Sequence, residues 1–216
     1  MLENLPEQVG HALQHQRAGI DSIALHRLLL ERHVERIEVR SSAFEHMTSI
    51  PTRYTADADG ISPPLAWRGI PDSAACVVLM VEDADSPTPR PLVHAIAVNL
   101  PCNEGSLAEG ALMSPDGAVT DQVEVGLNSL LKQGWLPPDP PPGHGEHRYA
   151  FQLFGLREGA RFSRVPGRQE LFDAILERAI AGGLLIGTYE RPKRQEIGAT
   201  EQDEVTLAAD FAAELA

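Results

Sequence analysis

The chain has 216 residues, of which 43% are hydrophobic and 23% charged, and its formal net charge is −13. This length and composition suit one globular domain with its own core, and the negative charge argues against non-specific nucleic-acid binding, which depends on Lys and Arg. No apolar run reaches the roughly 18 residues of a membrane span, and the N-terminus lacks the basic and apolar regions of a secretory signal, so we expect a cytoplasmic protein.

Residues 1–35 are predicted to form a helical extension ahead of the main domain. Asn4 is placed to cap a first helix and Asp21 a second, and each is followed by apolar residues at helical spacing. These apolar positions are Leu2, Leu5, Val9 and Leu13, then Ile23, Leu25, Leu28, Leu29 and Val34. Because an amphipathic helix must bury its apolar face, we expect the extension to pack on the domain or to form part of a homodimer contact.

Residues 36–192 have the pattern of a β-rich domain, in which short apolar runs alternate with clusters of Pro, Gly, Asp and Ser. The predicted strands are IEVRS, AACVVLMVE, LVHAIAVNL, RYAFQLFGL and GLLIGTYER. One helix is predicted at residues 169–181, with Gly182 and Gly183 as its stop signal. The acidic tail, residues 193–216, is predicted either to be solvated or to form a docked helix capped by Thr200.

Two features of the sequence favour a structural interpretation. Residues 59–67, DGISPPLAW, form a rigid element because two prolines fix the backbone, and we interpret it as a brace for the sheet, with a ligand-lining role as the alternative. Cys76 and Cys102 lie outside any CxxC pattern, so we expect two buried free thiols.

Carboxylates cluster at the end of one predicted strand, where Glu82, Asp83 and Asp85 lie within four residues. Such a cluster is self-repelling unless cations or hydrogen-bond donors lie among its members. If the backbone stays extended, Asp83 and Asp85 point to the same side. The next predicted strand carries His94 in an apolar run, and this imidazole is either a satisfied core residue or part of a site with the acids.

Residues 139–149, DPPPGHGEHRY, form a stiff loop directly before another predicted strand. The prolines and glycines exclude a helix, and the prolines lower the entropy lost when the loop is fixed in one shape. His144 and His147 are three residues apart, and Arg148 and Tyr149 follow. From these residues alone, the loop could bind a metal, bind a phosphate or be a plain turn.

Taken in order, these segments resemble the motifs of the phosphatidylethanolamine-binding protein (PEBP) family, also called Raf kinase inhibitor-like proteins, and of its bacterial branch in particular. The matching stretches are SPPLAW at 62–67, DADSP at 83–87 with His94 after it, PPPGHGEHRY at 140–149 and LLIGTY at 184–189. The resemblance covers residues 45–192. The sequence departs from the family pattern at Ala84, Ser86 and Ala95.

The resemblance implies a β-rich α+β fold, with an antiparallel β-sandwich core and a few peripheral helices. It also implies a small surface pocket that binds phosphate-type anions or phospholipid head groups, and a protein partner that binding could modulate. Carried over residue by residue, the ligand-binding residues are Asp83, Asp85, His94, Pro141, His147 and Tyr149. By the same resemblance we expect a cis peptide bond between Ser86 and Pro87, and no cofactor.

Carboxylates in the pocket would repel an anionic ligand, and we expect protonated histidines to offset this repulsion. Adjacent carboxylates raise the pKa of His94 and His147, and the resulting imidazolium groups donate to phosphate oxygens. Affinity for phosphate should then fall as the pH rises. His147 should matter more than His144, which we expect to be solvent-exposed, and Arg148 should point to the opposite face and pair with a carboxylate.

Two other functions remain open at this stage. A hydrolase or other acid–base enzyme could use His94, His147 and Asp83, with water as its nucleophile. A metal site could form from His94, His144, His147 and the acids.

Overall fold

Two β-sheets and three helices make up the part of the chain that the computed structural model describes, residues 7–113 and 123–191. The helices are α1 (Glu7–Leu13), α2 (Ala24–Glu31) and α3 (Arg168–Arg178). The strands are β1 (Glu35–Arg36), β2 (Glu38–Arg40), β3 (Thr48–Ser49), β4 (Leu65–Arg68), β5 (Cys76–Asp83), β6 (Leu92–Leu100), β7 (Gly105–Leu107), β8 (Glu124–Val125), β9 (His147–Leu156) and β10 (Ala179–Tyr189). Short 3-10 turns lie at Ile20–Ser22 and Thr52–Tyr54.

The larger sheet has the order β1-β10-β9-β5-β6-β8, and β3 pairs with a further part of β10. Strands β1 and β3 run parallel to β10, whereas the other pairs in this sheet are antiparallel. The smaller sheet, β2-β4-β7, is antiparallel throughout. The predicted β-rich α+β fold with few helices is confirmed.

The larger sheet is buried on both faces. Val77, Leu79 and Val81 of β5 belong to a core cluster with Trp67 of the smaller sheet. The alternate residues of β5 pack instead with α2 and α3 in a second cluster. Because strands covered on both faces need apolar residues at nearly every position, β5, β6 and β9 read as continuous apolar runs in the sequence.

The antiparallel pairing decides where the polar strand ends meet. Asp83, at the end of β5, pairs with Leu92 at the start of β6 and with Tyr149 near the start of β9. Residues at alternate positions of a strand share a face, so Tyr149 and Asp83 continue the face that packs on the smaller sheet. The acidic motif and the loop at 139–149 therefore converge at one edge of the larger sheet.

Helix α2 is anchored by the larger sheet rather than by its predicted cap. Its N-cap position is Ile23, which makes no side-chain cap hydrogen bond, and the predicted cap, Asp21, lies in the preceding 3-10 turn. The N–H of Ala24 donates instead to Glu82 Oε2 at 2.8 Å, and the N–H of Leu25 donates to Gln152 Oε1 at 2.7 Å. Buried side chains of the sheet thus cap α2. The helix packs on the domain, which was one of the two arrangements expected for the N-terminal extension.

The prediction that Gly182 and Gly183 end α3 is wrong. The helix ends at Arg178, β10 begins directly at Ala179, and Gly182 and Gly183 lie inside that strand. A Cβ at Gly183 would lie 2.4 Å from the carbonyl oxygen of Ile37, and one at Gly182 would lie 2.6 Å from a methyl carbon of Leu25. These glycines are present because neighbouring chain segments approach β10 closely.

Two local predictions are also wrong. Cys76 and Cys102 are free, but Cys76 is only half-buried at the start of β5 and Cys102 is exposed in the loop that follows β6. No peptide bond in the described residues is cis, so Ser86–Pro87 has the ordinary trans form. The carbonyl of Ser86 accepts a hydrogen bond from the N–H of Ala18 at 3.0 Å, which holds this turn against the N-terminal segment.

Some predictions cannot be compared with the structure. The N-cap at Asn4, the apolar positions Leu2 and Leu5, and the acidic tail at 193–216 lie outside the described residues. Within those residues, no helix combines the length and the apolar character that crossing a bilayer requires.

Candidate functional site

A cavity of about 890 Å³ opens at the edge where β5 ends and β6 and β9 begin. Its apolar wall includes Leu13, Leu92, Trp135, Leu136, Pro137 and Pro141, and its polar residues include Asp83, His94, Lys132 and His147. This volume lies in the upper part of the range for small-molecule sites, about 300–1,000 Å³.

A chain of hydrogen bonds links Asp83 to the N-terminal segment through two histidines. Asp83 Oδ2 lies 2.8 Å from His147 Nδ1, and His147 Nε2 lies 2.6 Å from His144 Nδ1. His144 Nε2 lies 2.9 Å from the carbonyl oxygen of Leu13 and 3.2 Å from that of Gln16. Both rings are almost completely buried, which makes the prediction that His144 is solvent-exposed wrong.

The hydrogen bonds fix the tautomer of His144. A carbonyl only accepts, so His144 Nε2 carries a proton. Burial, together with His147 and Arg17, lowers the pKa of His144, which favours the neutral ring with Nδ1 as an acceptor. Asp83 and His144 occupy both nitrogens of His147, so neither is left to donate to a ligand.

Asp85 does not join Asp83 at the cavity. The chain turns at Ala84, directly after β5, and Asp83 Oδ1 accepts the N–H of Asp85 at 2.8 Å. The guanidinium of Arg148 forms a bidentate ion pair with Asp85, in which Nε and an Nη donate to the two carboxylate oxygens at 2.7 and 2.8 Å. Burial opposes ionisation of Asp85, but the hydrogen bonds from Arg148 outweigh it and hold the pKa of this carboxyl below its usual range.

Each carboxylate of the acidic cluster has its own partner. Glu82 points to the helix face of the sheet, where its Oε1 accepts from Arg168 at 2.9 Å. Asp83 pairs with His147, and Asp85 pairs with Arg148. The expectation that Arg148 pairs with a carboxylate is confirmed, and the repulsion within the cluster is relieved without a bound cation.

Three aromatic rings near the cavity carry buried polar atoms that no described residue satisfies. These atoms are His94 Nε2, Trp135 Nε1 and Tyr149 Oη. The ring of His94 lies 5.1 Å from that of Tyr149 and 6.2 Å from that of Trp135, centroid to centroid. Unsatisfied buried polar atoms are costly, so these three groups need hydrogen-bond partners that the described residues do not supply.

The protonation of His94 follows from its surroundings. Its Nδ1 lies 2.6 Å from the carbonyl oxygen of Leu136, so Nδ1 carries the proton and Nε2 has the free lone pair. Burial lowers the pKa of His94 and outweighs the opposing effect of Asp83. Asp83 thus acts on His94 in the expected direction, but our expectation of a raised pKa and an imidazolium group is wrong. Burial also raises the pKa of Tyr149 well above its usual range, which keeps its hydroxyl protonated.

The described lining of the cavity holds few cations. Among the described residues that line it, Lys132 is the only Lys or Arg. Asp139, which also lines it, lies 2.5 Å from a guanidinium nitrogen of Arg191, but Arg191 pairs with Asp57 as well, so one guanidinium serves two carboxylates. Lys132 is therefore the one full cation that the described lining offers to an anion.

Of the predicted ligand-binding residues, Asp83, His94, Pro141 and His147 line the cavity. Tyr149 contacts the rings of His94 and His147 but is not one of the lining residues, and Asp85 lies outside the cavity. The segment at 59–67 acts as a brace, in which Ser62 Oγ accepts the N–H of Leu112 at 3.1 Å.

Sequence reasoning missed Leu13, Lys132, Trp135 and the buried role of His144. A Trp directly before a proline-rich stretch was an available signal for Trp135. Leu13 gave no signal, because it lies outside the region of family resemblance.

Comparison with known proteins agrees with this arrangement. Residues 40–190 match the family model described as "Phosphatidylethanolamine-binding protein". The chain belongs to the PEBP family. A UPF0098 protein of the archaeon Methanothermobacter thermautotrophicus is 32% identical over 156 residues, which are 72% of this chain and 99% of that relative. A UPF0098 protein of the bacterium Chlamydia trachomatis is 35% identical over 159 residues, with the same two coverages.

Solved PEBP structures share the fold. A PEBP homologue from C. trachomatis has a TM-score of 0.64 at 32% identity and matches 73% of this chain and 99% of its own. YbcL of Escherichia coli, described as a member of the mammalian PEBP family, has a TM-score of 0.65 at 22% identity and matches 72% of this chain and 99% of its own. The predicted bacterial branch of the family is confirmed by these relatives.

Proposed function

We propose that this protein binds a phosphate-type anion, free or as part of an organic ligand such as a phospholipid head group. The observation that carries the proposal is that two residues lining the cavity, His94 and Trp135, carry unsatisfied polar atoms, His94 Nε2 and Trp135 Nε1. Trp135 Nε1 is a donor and His94 Nε2 is an acceptor, so a ligand with acceptor oxygens and one hydroxyl group satisfies both.

The electrostatics of the cavity support an anionic ligand. Lys132 supplies a positive charge in the described lining, and the indole N–H of Trp135 can donate to oxygens. Hydrogen bonds to a charged acceptor are stronger than those to a neutral one, which favours phosphate over an uncharged ligand.

Binding should involve one proton in addition to the ligand. Because His94 Nε2 accepts at neutral pH, the ligand must offer a hydroxyl group, as a singly protonated phosphate does, or His94 must take up a proton on binding. In either case the complex holds one proton more than free protein and phosphate dianion. Affinity should therefore fall with rising pH, by up to about tenfold per unit above the second pKa of a phosphate ester, about 6.

The geometry gives less support to the two other functions. Asp83 and His144 engage both nitrogens of His147, so in a hydrolase this ring would have no free nitrogen with which to activate a water nucleophile. Among the described residues, no group of three His, Cys, Asp or Glu side chains is placed to hold a metal ion.

The two tryptophans offer a direct test. Trp67 donates its indole N–H to the carbonyl oxygen of Asn103 at 3.0 Å, whereas the indole N–H of Trp135 has no described partner. On titration with inorganic phosphate or phosphoethanolamine, the Trp135 indole signal in a ¹⁵N–¹H spectrum should move while the Trp67 signal stays in place. Trp135→Phe assigns the signal and should weaken binding roughly tenfold to a hundredfold, the loss of a hydrogen bond to a charged group. A titration that moves neither signal, or both equally, would refute the proposal.

A further inference from the structure

The N-terminal segment, defined here as residues 10–19, lies against both loops that carry the family motifs. The N–H of Ala18 donates to the carbonyl of Ser86 at 3.0 Å, and the N–H of Gly19 donates to the carbonyl of Ala84 at 2.7 Å. These two bonds tie the segment to the backbone of the acidic motif.

Arg17 ties the same segment to the histidine loop. Its guanidinium donates to the carbonyl of His144 at 3.0 Å and to that of Glu146 at 2.8 Å, and it lies 3.2 Å from an oxygen of Asp85. One side chain thus bridges the acidic motif and the loop that carries His147.

The beginning of the segment is fitted closely to the proline run. A Cβ at Gly10 would lie 1.8 Å from the carbonyl oxygen of Pro142, so only glycine allows α1 to approach this far. Three residues later, the carbonyl of Leu13 accepts the hydrogen bond from His144 Nε2, and the half-buried Leu13 lines the cavity. The close packing of Gly10 on Pro142 and the hydrogen bond from His144 together fix Leu13 at the cavity wall.

Relatives that are matched over nearly their whole length have no counterpart of this segment. The family match begins at residue 40, and relatives that are matched over 99% of their own length cover only 72% of this chain. The wall formed by Leu13 is thus an addition to the site in this chain.

We propose that the N-terminal segment determines the ligand specificity of the pocket, and that Leu13 selects organic phosphates carrying a compact apolar group over free phosphate. The inference rests on the proposed function, in which the polar atoms of His94 and Trp135 hold the phosphate. A cavity of about 890 Å³ exceeds the needs of a single phosphate, and most of the wall beyond these atoms is apolar. Leu13 and Leu92 offer that space to an alkyl or aryl substituent.

The test compares inorganic phosphate with phenyl phosphate and butyl phosphate by calorimetric titration at one pH and salt concentration. Wild-type protein should bind each organic phosphate more tightly than inorganic phosphate, by about threefold to fourfold per methylene that the cavity buries. Leu13→Ala should weaken binding of the organic phosphates roughly threefold to tenfold, while inorganic phosphate changes less than about twofold.

Two variants of α1 complete the design. Gly10→Ala should displace α1 and reproduce the effect of Leu13→Ala. Val9→Ala is the matched control, because Val9 lies on the same helix but is exposed and does not line the cavity, and it should leave all three affinities unchanged.

The outcomes separate the two proposals. If inorganic phosphate binds but the organic phosphates bind no more tightly, or if Leu13→Ala changes all three affinities alike, the specificity role is overturned and the proposed function stands. If none of the three binds wild-type protein, the proposed function itself is overturned, and the specificity role falls with it.

Discussion

Replacement of Glu82 should lower the free energy of unfolding more than replacement of any exposed charged residue. Glu82 is completely buried on the helix face of the larger sheet and accepts three hydrogen bonds, from the N–H of Ala24, the amide of Gln152 and the guanidinium of Arg168. Glu82→Ala leaves all three donors without this acceptor.

The magnitude follows from where those donors lie. The Arg168 side chain is 22% exposed and can turn to water, so its loss costs little. The N–H of Ala24 and the amide of Gln152 are buried, and each unsatisfied buried donor costs about 1–3 kcal/mol. The free energy of unfolding should therefore fall by about 2–6 kcal/mol. Glu82→Gln keeps an acceptor oxygen for Ala24 and Gln152 and should lose only about 1–2 kcal/mol.

The assay is urea unfolding followed by circular dichroism, together with hydrogen exchange at the amides of Ala24 and Leu25. Exchange at these amides should increase in Glu82→Ala, because the sheet no longer caps α2. Glu177→Ala is the control, since the Glu177 side chain is 65% exposed, and it should change the free energy of unfolding by less than about 0.5 kcal/mol. A loss below about 1 kcal/mol in Glu82→Ala, or the same loss in Ala and Gln variants, would refute the capping argument.

Three further predictions concern pH and thiol reactivity. Phosphate affinity should fall as the pH rises from 6 to 8.5, and His94→Gln should flatten this dependence in calorimetric titrations; a profile that His94→Gln leaves unchanged would contradict the role of His94. Because the folded pKa of Asp85 lies below its unfolded value of about 3.8, its ionisation stabilises the fold above that value, and this contribution is lost as the pH falls through the folded pKa. Arg148→Met should lower the free energy of unfolding by about 2–3 kcal/mol at pH 7 and by less at pH 3, and an equal loss at both would argue against this pairing. A thiol reagent should modify the exposed Cys102 before the half-buried Cys76, and equal rates would contradict the structure.

The strands that build the site were predictable from sequence because both faces of the larger sheet are covered. Strands β5, β6 and β9 read as apolar runs, so their polar ends stand out at Asp83 and His147. Antiparallel pairing then brings these ends together, which the order of the family motifs also indicated.

Contacts between segments far apart in the sequence could not be predicted from the sequence pattern. The partner of His144 is the carbonyl of Leu13, 131 positions away, and a backbone acceptor leaves no trace in residue type. The interpretation of Asp85 failed for a local reason, because alternation holds only while the strand continues and the chain turns at Ala84. The low pKa of His94 depends on complete burial, which a count of nearby acids does not reveal.

The anchoring of α2 by the sheet also bears on how the chain folds during synthesis. The N–H of Leu25 donates to Gln152, which lies 127 positions later in the sequence. At about 5–20 residues per second, the ribosome adds Gln152 roughly 6–25 s after Leu25. Until then the apolar face of α2 has no strand β9 to cover, so α2 is synthesised well before it can reach its native place. Expression of residues 40–190 alone, the span of the family match, would remove α2 and expose Glu82 and Gln152 on the sheet. We therefore expect a stable fragment to need α2 as well as the span of the family match.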